Sequence, residues 1–295
     1  MGLGVKKRSL GGAIYVLPNL LTTGNLFFGF FSIVKSLQGD FQWAASAILL
    51  AAIFDMLDGR VARLTGGTSE FGVQYDSLCD LVSFGAAPAL LMYEYGLGDL
   101  GRIGWIFCFF FLACGAMRLA RFNVISSIGQ PYDDFMGLPI PMSAAVISTF
   151  VGTGMAAKSF DSEIPFFLQS VFGKFQDPDL RVGFMAVMAP FLSLLMVSNV
   201  KYRSHKQFKI SGIKPFQLLV IAVVLASAVA YQPELGGFLL VFAYAISGPV
   251  EWALGWKKAV DEADVFEQIP EESEGGDSND SSSLKTKQDT DKGSM

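Results

Sequence analysis

Long runs of uncharged, mostly apolar residues constrain the fold of this chain more than any other feature of its sequence. They occupy residues 9–34, 41–54, 81–93, 103–117, 135–157, 182–200, 215–233 and 235–250. A bilayer core of about 30 Å is crossed by roughly 20 helical residues, and the shorter runs reach that length only by including charged residues at one end. Because lipid offers no partners for backbone polar groups, the sequence predicts an all-α polytopic membrane protein with about eight transmembrane helices.

The end of the chain has a different composition. Residues 261–295 are acidic, rich in Ser and Gly, and nearly free of large apolar side chains. Such a segment buries too little apolar surface to offset the entropy lost on ordering. We therefore expect a membrane domain over residues 1–260 and a disordered, solvated tail over residues 261–295.

Cysteine and histidine, which often serve as nucleophiles or metal ligands, are scarce in this chain. Cys79, Cys108 and Cys114 fall in apolar spans without a CxxC pattern, which favours buried thiols that behave as small hydrophobic groups. The single histidine, His205, lies in a basic loop. These positions argue against catalysis by histidine and against a zinc site.

The distribution of basic residues predicts the orientation. With a cytoplasmic N-terminus, the inside segments contain 14 Lys or Arg residues and the outside segments contain five, while the other three lie in the tail. This bias follows the positive-inside rule. Both termini are therefore expected in the cytoplasm.

Four aspartates lie where the second and third spans meet the cytoplasm. Asp55 and Asp58 are three residues apart, and Asp76 and Asp80 are four apart, so each pair shares one helix face. A charge at membrane depth costs about 3 kcal/mol or more unless it faces a polar cavity or a partner, which makes a functional site the default inference. Four repelling carboxylates with all-oxygen ligands indicate hard divalent cations, Mg²⁺ or Mn²⁺.

Other interpretations of the aspartates exist. They would be structural if they capped helices and paired with nearby arginines, namely Arg60, Arg63, Arg118 and Arg121. That role suits a single aspartate better than four at paired spacings. A divalent cation transporter would place acidic residues near mid-membrane with access from outside, whereas these cluster at one face. A structural scaffold leaves the cost of burying the carboxylates unexplained.

The spacing itself has a known counterpart. The fixed positions read Asp55-x2-Asp58-Gly59-x2-Ala62-Arg63-x8-Gly72-x3-Asp76-x3-Asp80. This stretch resembles in full the signature D-x2-D-G-x2-A-R-x8-G-x3-D-x3-D of the CDP-alcohol phosphatidyltransferase family. The resemblance implies the family's helical bundle, a homodimer, and transfer of a phosphatidyl group from CDP-diacylglycerol to an alcohol with release of CMP.

The resemblance also implies residue roles. It assigns metal binding to Asp55, Asp58, Asp76 and Asp80, and makes Asp80 the general base as well. It assigns CDP-diacylglycerol binding to a second set, in which the first two residues come from the similar but less specific stretch "LPNLLTTGN". This set comprises Asn19, Thr22, Gly59, Ala62, Arg63 and Gly72.

The acceptor alcohol is less constrained. Residues 114–141 resemble the branch of the family that uses L-serine, in which an arginine-rich helix end precedes a G-L-P-x-P segment. Arg118 and Arg121 share a helix face, and an arginine fork suits a carboxylate or a phosphate, so these residues alone leave glycerol 3-phosphate and inositol phosphate open. The resemblance favours serine, with Asn123 as a further ligand.

The resemblance also bears on partners and localisation. The expected partners are CDP-diacylglycerol, L-serine, membrane lipids and a second copy of the chain, with no nucleic acid. The expected location is a bacterial-type cytoplasmic membrane, with the active site on the cytoplasmic side.

Overall fold

The computed structural model of the protein describes residues 13–66, 69–127, 135–159, 177–202 and 233–266. The regular structure in these ranges is helical apart from two short strands, β1 (Phe135–Met136) and β2 (Lys201–Tyr202), which pair antiparallel. The helices in chain order are α1 (Ala13–Leu37), α2 (Phe41–Thr65), α3 (Glu70–Asp80), a π-helical turn (Leu81–Ala86), α4 (Ala87–Tyr95), a 3-10 turn (Leu97–Leu100), α5 (Arg102–Ser127), α6 (Ile140–Ser159), α7 (Pro178–Val197) and α8 (Pro233–Phe266).

The described helices fit a polytopic membrane protein. By length and composition, four of them are apolar enough to cross a bilayer, and one shorter apolar helix occupies Ile140–Ala156. The four are Val16–Leu37, Arg102–Ile125, Pro178–Val197 and Glu234–Gly255. Helix α2 is as long as these four helices, and so is the continuous segment made of α3, the π-helical turn and α4. Both reach this length by including charged residues, as the sequence predicts. The predicted span at 215–233 lies outside the described residues except for its last position.

Helix α1 is polar inside and apolar outside. Its outward side chains are at least half exposed, among them Val16, Leu20, Phe27 and Phe30. Its inward face recurs with alternating steps of three and four residues and carries small or polar side chains, namely Pro18, Thr22, Asn25, Gly29, Ser32 and Ser36. This inversion of a water-soluble helix leaves apolar side chains for lipid and brings polar groups to the centre of the bundle.

Small residues allow close packing around α1. The buried face of α2 is mainly alanine, with Ala44, Ala45, Ala47 and Ala51 flanking Ile48. Helix α1 packs along α2 and against α3, while α2 also packs on α6 and α5 packs on α7. Where lipid replaces water, helix association depends on such close contact rather than on hydrophobic burial. The α1–α2–α3 group forms the frame of the site described below.

Several sequence predictions concern other parts of the chain. Cys79, Cys108 and Cys114 are free thiols, and all three are buried as predicted. The chain divides into two compact units, Met1–Ala253 and Leu254–Met295, and every site residue discussed below belongs to the first. His205 lies outside the described residues. So does the predicted tail, apart from its first six residues, which continue α8 to Phe266.

Candidate active site

The carboxylates of α2 and α3 converge. Asp55, Asp76 and Asp80 each present an oxygen, and these three atoms lie within 4.8 Å of one another. Asp58, on the same face of α2 as Asp55, is 4% exposed, and Asp80 is 8% exposed. The two aspartate pairs, separated by 17 residues between Asp58 and Asp76 in the sequence, therefore form a single acidic cluster in the bundle.

Within the described part of the chain, this cluster lacks basic partners. The ion pair found there joins Lys35 and Asp40 at 3.1 Å, at the other end of α1 and α2. None of the four aspartates makes such a pair, and Asp80 makes no capping hydrogen bond to the turn that follows it. The structural interpretation, with aspartates as caps and arginine partners, has no support among these contacts. Among these residues, no ion pair therefore offsets the mutual repulsion of the four carboxylates.

The unpaired oxygens fit a metal ion. Asp58 Oδ2 and Asp76 Oδ1 are buried without a hydrogen-bond partner among the described residues. Buried polar atoms are nearly always bonded, so two such atoms in one acidic cluster indicate a ligand. The donor set consists of carboxylate oxygens alone, which suits a hard cation such as Mg²⁺ or Mn²⁺ better than zinc or copper. Asp55, Asp58, Asp76 and Asp80 are therefore suited to hold a divalent cation.

A cavity of about 170 Å³ opens beside the cluster. Helix α1, the end of α2, the α2–α3 turn and the start of α3 all contribute to its wall. It is lined by Pro18, Asn19, Thr22, Asp58, Gly59, Ala62, Arg63, Ser69, Gly72, Val73 and Asp76. The structure thus brings together all six residues that the sequence predicts for the nucleotide with two of the predicted metal ligands.

The turn between α2 and α3 shapes one side of this cavity. Helix α2 ends at Gly66, whose φ of 65° is left-handed and whose N–H donates to the Ala62 carbonyl. Helix α3 starts at Ser69, whose Oγ accepts from the Gly72 N–H at 2.9 Å. A Cβ on Gly72 would lie 3.1 Å from that oxygen and 3.5 Å from Asn19 Oδ1. A side chain at position 72 would therefore crowd the Ser69 hydroxyl that caps α3 and the part of the cavity beside Asn19, which favours glycine there.

One buried contact of the cluster is absent from the sequence predictions. Asn25, on α1, donates through Nδ2 to Asp80 Oδ1 at 2.9 Å. In turn, Ser83 Oγ donates to the Asn25 backbone carbonyl at 3.0 Å. The available signal is the spacing Asn19-x2-Thr22-x2-Asn25, which places three polar residues on one face of α1. Only the packing of α1 against α3 shows which aspartate Asn25 meets.

The predicted serine ligands lie along the end of α5, away from the wall of this cavity. Arg121 donates to Asn199 Oδ1 at 2.9 Å and to the Val197 carbonyl at 3.5 Å, at the end of α7. Asn123 Nδ2 donates to Ser77 Oγ at 2.9 Å, next to Asp76 on α3. Arg118 is half-buried on the same helix. Asn123 and Ser77 also line a second cavity of about 520 Å³ between α3 and α5.

Comparisons with known proteins place these residues in context. A family model described as CDP-alcohol phosphatidyltransferase matches residues 15–168. A CDP-diacylglycerol–serine O-phosphatidyltransferase of Helicobacter pylori strain J99 is 34% identical over 239 residues, 81% of this chain and 92% of the relative. A protein of the same name from Methanocaldococcus jannaschii is 32% identical over 82% of this chain and 96% of its own length. An archaetidylserine synthase of Methanothermobacter thermautotrophicus is 38% identical over 63% of this chain and 69% of its own length.

Proposed function

The chain belongs to the CDP-alcohol phosphatidyltransferase family, and from this premise we propose that it transfers the phosphatidyl group of CDP-diacylglycerol to the hydroxyl of L-serine. The products are phosphatidylserine and CMP. The observation that carries the proposal is the acidic cluster, in which oxygens of Asp55, Asp76 and Asp80 lie within 4.8 Å of one another. A cavity beside it is lined by the six residues that the sequence predicts for the nucleotide. The serine-specific relatives supply the acceptor.

The chemistry requires charge neutralisation at the diphosphate. Asp55, Asp58, Asp76 and Asp80 would hold a divalent cation, which would supply positive charge to offset the negative charge on the leaving CMP. Mg²⁺ and Mn²⁺ both suit the all-oxygen ligands. Asn19, Thr22, Gly59, Ala62, Arg63 and Gly72 bind the CDP moiety in the adjoining cavity, while the acyl chains remain in the bilayer.

Asp80 acts on the acceptor. The serine hydroxyl oxygen forms a bond to the phosphatidyl phosphorus, the bond from that phosphorus to the CMP oxygen breaks, and the hydroxyl proton passes to the Asp80 carboxylate. A carboxylate serves as general base when it lies within hydrogen-bond reach of the hydroxyl. Asp80 suits this role because it lies one turn beyond Asp76, on the inner side of the cluster.

The serine carboxylate needs a cationic partner. We assign this role to Arg118 and Arg121, with Asn123 as a hydrogen-bonding neighbour, because guanidinium groups bind carboxylates through paired donors. Arg121 and Asn123 already bond to Asn199 and Ser77, so serine would have to compete with these contacts or join them.

The proposal also covers the domains, the orientation in the membrane and the oligomeric state. Residues 1–260 form a catalytic membrane domain with about eight spans, and the acidic segment 261–295 forms a cytoplasmic tail that is disordered beyond the end of α8 at Phe266. Both termini and the acidic cluster lie on the cytoplasmic side of a bacterial-type cytoplasmic membrane. Two copies of the chain associate as a homodimer in the lipid.

The direct test is turnover by purified protein in lipid or detergent. With CDP-diacylglycerol, L-serine and Mn²⁺, release of CMP and formation of phosphatidylserine in equal amounts are expected. Turnover with glycerol 3-phosphate but not with serine would reject serine as acceptor while retaining the family chemistry. Metal flux into liposomes that survives Asp80→Asn, without CMP release, would favour a cation transporter instead.

A further inference from the structure

The bond between Asn25 and Asp80 connects the inner face of α1 to the proposed general base. Asn25 has no exposed surface, and its amide Nδ2 donates to Asp80 Oδ1 at 2.9 Å. Asp80 is itself only 8% exposed, so water has little access to replace the bond. A buried hydrogen bond from a fixed amide therefore holds one oxygen of this carboxylate in place.

The backbone of Asn25 is also tied to the helix that carries Asp80. Ser83, in the π-helical turn just after Asp80, is fully buried and donates from Oγ to the Asn25 carbonyl at 3.0 Å. One turn further along α1, a Cβ on Gly29 would lie 2.6 Å from Ser83 Cα. The absence of a side chain at Gly29 thus permits the approach that forms both hydrogen bonds. Asn25 is therefore bonded to Asp80 itself and, three residues further along the chain, to Ser83 of the π-helical turn.

Asparagine at position 25 has opposing effects on the stability of the fold. Asn25 Oδ1 is buried and has no hydrogen-bond partner among the described residues. An unpaired buried carbonyl destabilises the folded state, and an apolar side chain of similar size would avoid this cost but would leave the buried Asp80 Oδ1 without its donor. What the amide provides, and an apolar side chain cannot, is a donor directed at Asp80.

We propose that Asn25 is a positioning residue for the transfer reaction: its amide fixes the Asp80 carboxylate, leaving the second oxygen to the cluster and to the acceptor proton. This inference rests on the proposed function, because it assigns Asn25 to the same reaction. Partners that orient a functional side chain typically change activity or metal affinity by about 10–100-fold when removed. Asn25 itself is not among the residues that line the cavity beside the cluster.

The test compares Asn25→Leu with Ser32→Ala in the purified full-length protein. Ser32 is a matched control because it lies on the same face of α1 and is fully buried. Among the residues that the structure describes, its hydroxyl has no hydrogen-bond partner and makes no bond to an aspartate. The measurements are CMP release with serine, the KM for CDP-diacylglycerol and the midpoint of thermal unfolding. Asn25→Gln, which retains an amide donor on a longer side chain, serves as a rescue variant.

In Asn25→Leu we expect a lower kcat, with little change in the KM for CDP-diacylglycerol or in the midpoint of thermal unfolding. Asn25→Leu should lower kcat by about 10–100-fold, with KM for CDP-diacylglycerol within about twofold. Its unfolding midpoint should stay close to wild type, because losing the donor to Asp80 Oδ1 and removing the unpaired Asn25 carbonyl act in opposite directions. Ser32→Ala should retain wild-type kcat, and Asn25→Gln should recover part of the loss. These results together would establish positioning rather than folding.

Two results would overturn the inference. One is wild-type kcat in Asn25→Leu, and the other is a lowered midpoint and lowered kcat shared by Asn25→Leu and Ser32→Ala. Failure of the proposed function is distinct, because the wild-type protein itself would then release no CMP with serine. With any other acceptor that the wild type turns over, the same loss in Asn25→Leu is expected, because the general base is shared.

Discussion

The acidic cluster of α2 and α3 and the basic end of α5 are both polar groups on membrane helices, but their side chains are bonded differently. Asp58 and Asp76 each keep a buried oxygen without a hydrogen-bond partner in the described part of the chain. Arg121 and Asn123 instead bond to Asn199 and Ser77, each at 2.9 Å. The difference separates polar groups that the fold leaves for a ligand from polar groups that also hold the fold together. Substitutions on the two sides should therefore have different consequences.

The largest effect is expected at Asp80. Asp80→Asn removes the proton acceptor and should lower kcat by about 10²–10⁴-fold. Because it also removes one charge from a repelling cluster, the unfolding midpoint should not fall, and most CDP-diacylglycerol binding should remain. CMP release and thermal unfolding are the measurements, with the exposed Asp99→Asn as a matched control. Wild-type turnover in Asp80→Asn would remove the basis for treating the cluster as catalytic.

Removal of the metal should affect the acidic cluster of α2 and α3 and leave the contacts at the end of α5 unchanged. Chelation should bring turnover to background, and Mn²⁺ or Mg²⁺ should restore it. The reason is that the carboxylates alone are negative and cannot offset the charge of the diphosphate, whereas a cation bound to them can. The cation should also raise the unfolding midpoint of the wild-type protein, since a ligand that binds only the folded state stabilises it. Asp76→Asn should weaken this thermal shift and Arg121→Ala should not. Equal shifts in both variants would contradict the assignment of the site.

Arg118→Ala tests the basic side as a binding site. If its guanidinium binds the serine carboxylate, loss of that charged contact, about 1.5–3 kcal/mol, should raise the serine KM by roughly ten- to a hundredfold. The KM for CDP-diacylglycerol should stay within about twofold. Initial rates over a range of serine concentrations measure both constants, with Arg118→Lys as the charge-retaining comparison. An unchanged serine KM would exclude Arg118 from the acceptor site.

Arg121→Ala tests the same side as a structural link. Losing the bonds from Arg121 to Asn199 and the Val197 carbonyl should lower the free energy of unfolding by about 1 kcal/mol. This is less than the roughly 1.5–3 kcal/mol typical of hydrogen bonds to charged groups, because the site is partly exposed. Asn199→Ala should have a similar effect, and the double variant should lose little more. Denaturant or thermal unfolding provides the measurement. A raised serine KM in Arg121→Ala but not in Asn199→Ala would add a binding role to the structural one.

The smallest effect is expected from the acidic segment at the end of the chain. Deletion of residues 267–295, most of the acidic segment, should leave kcat and both KM values within about twofold, because such a composition supplies no packed surface. The same assay on the truncated protein provides the measurement. A large loss of turnover would show that the segment contributes to the site or to its stability.

Local spacing was sufficient to predict the acidic cluster. Asp55 with Asp58, and Asp76 with Asp80, share faces because the helical period is fixed, and the intervening glycines permit the reversal between them. The apolar runs likewise predict helices, since lipid permits little else for a spanning segment. Both inferences need only the geometry of a single element and its neighbour in the sequence.

Contacts between distant helices could not be predicted in the same way. Asn25 meets Asp80 across 55 residues, and Arg121 meets Asn199 across 78. Such pairs depend on the rotation and the axial position of each helix, which small-residue packing sets at Gly29 and along α2 rather than at the polar residues themselves. The positions of the predicted serine ligands depend on the same long-range packing.

The π-helical turn Leu81–Ala86 has a consequence for how this chain tolerates insertions and deletions. Each added residue rotates everything beyond it by about 100° around the helix axis. Removing one residue there would preserve a continuous helix but turn either Asp80 away from α1 or α4 away from its neighbours. Single-residue deletions in this turn should therefore be far less tolerated than substitutions, and chimeric proteins should exchange segments outside it.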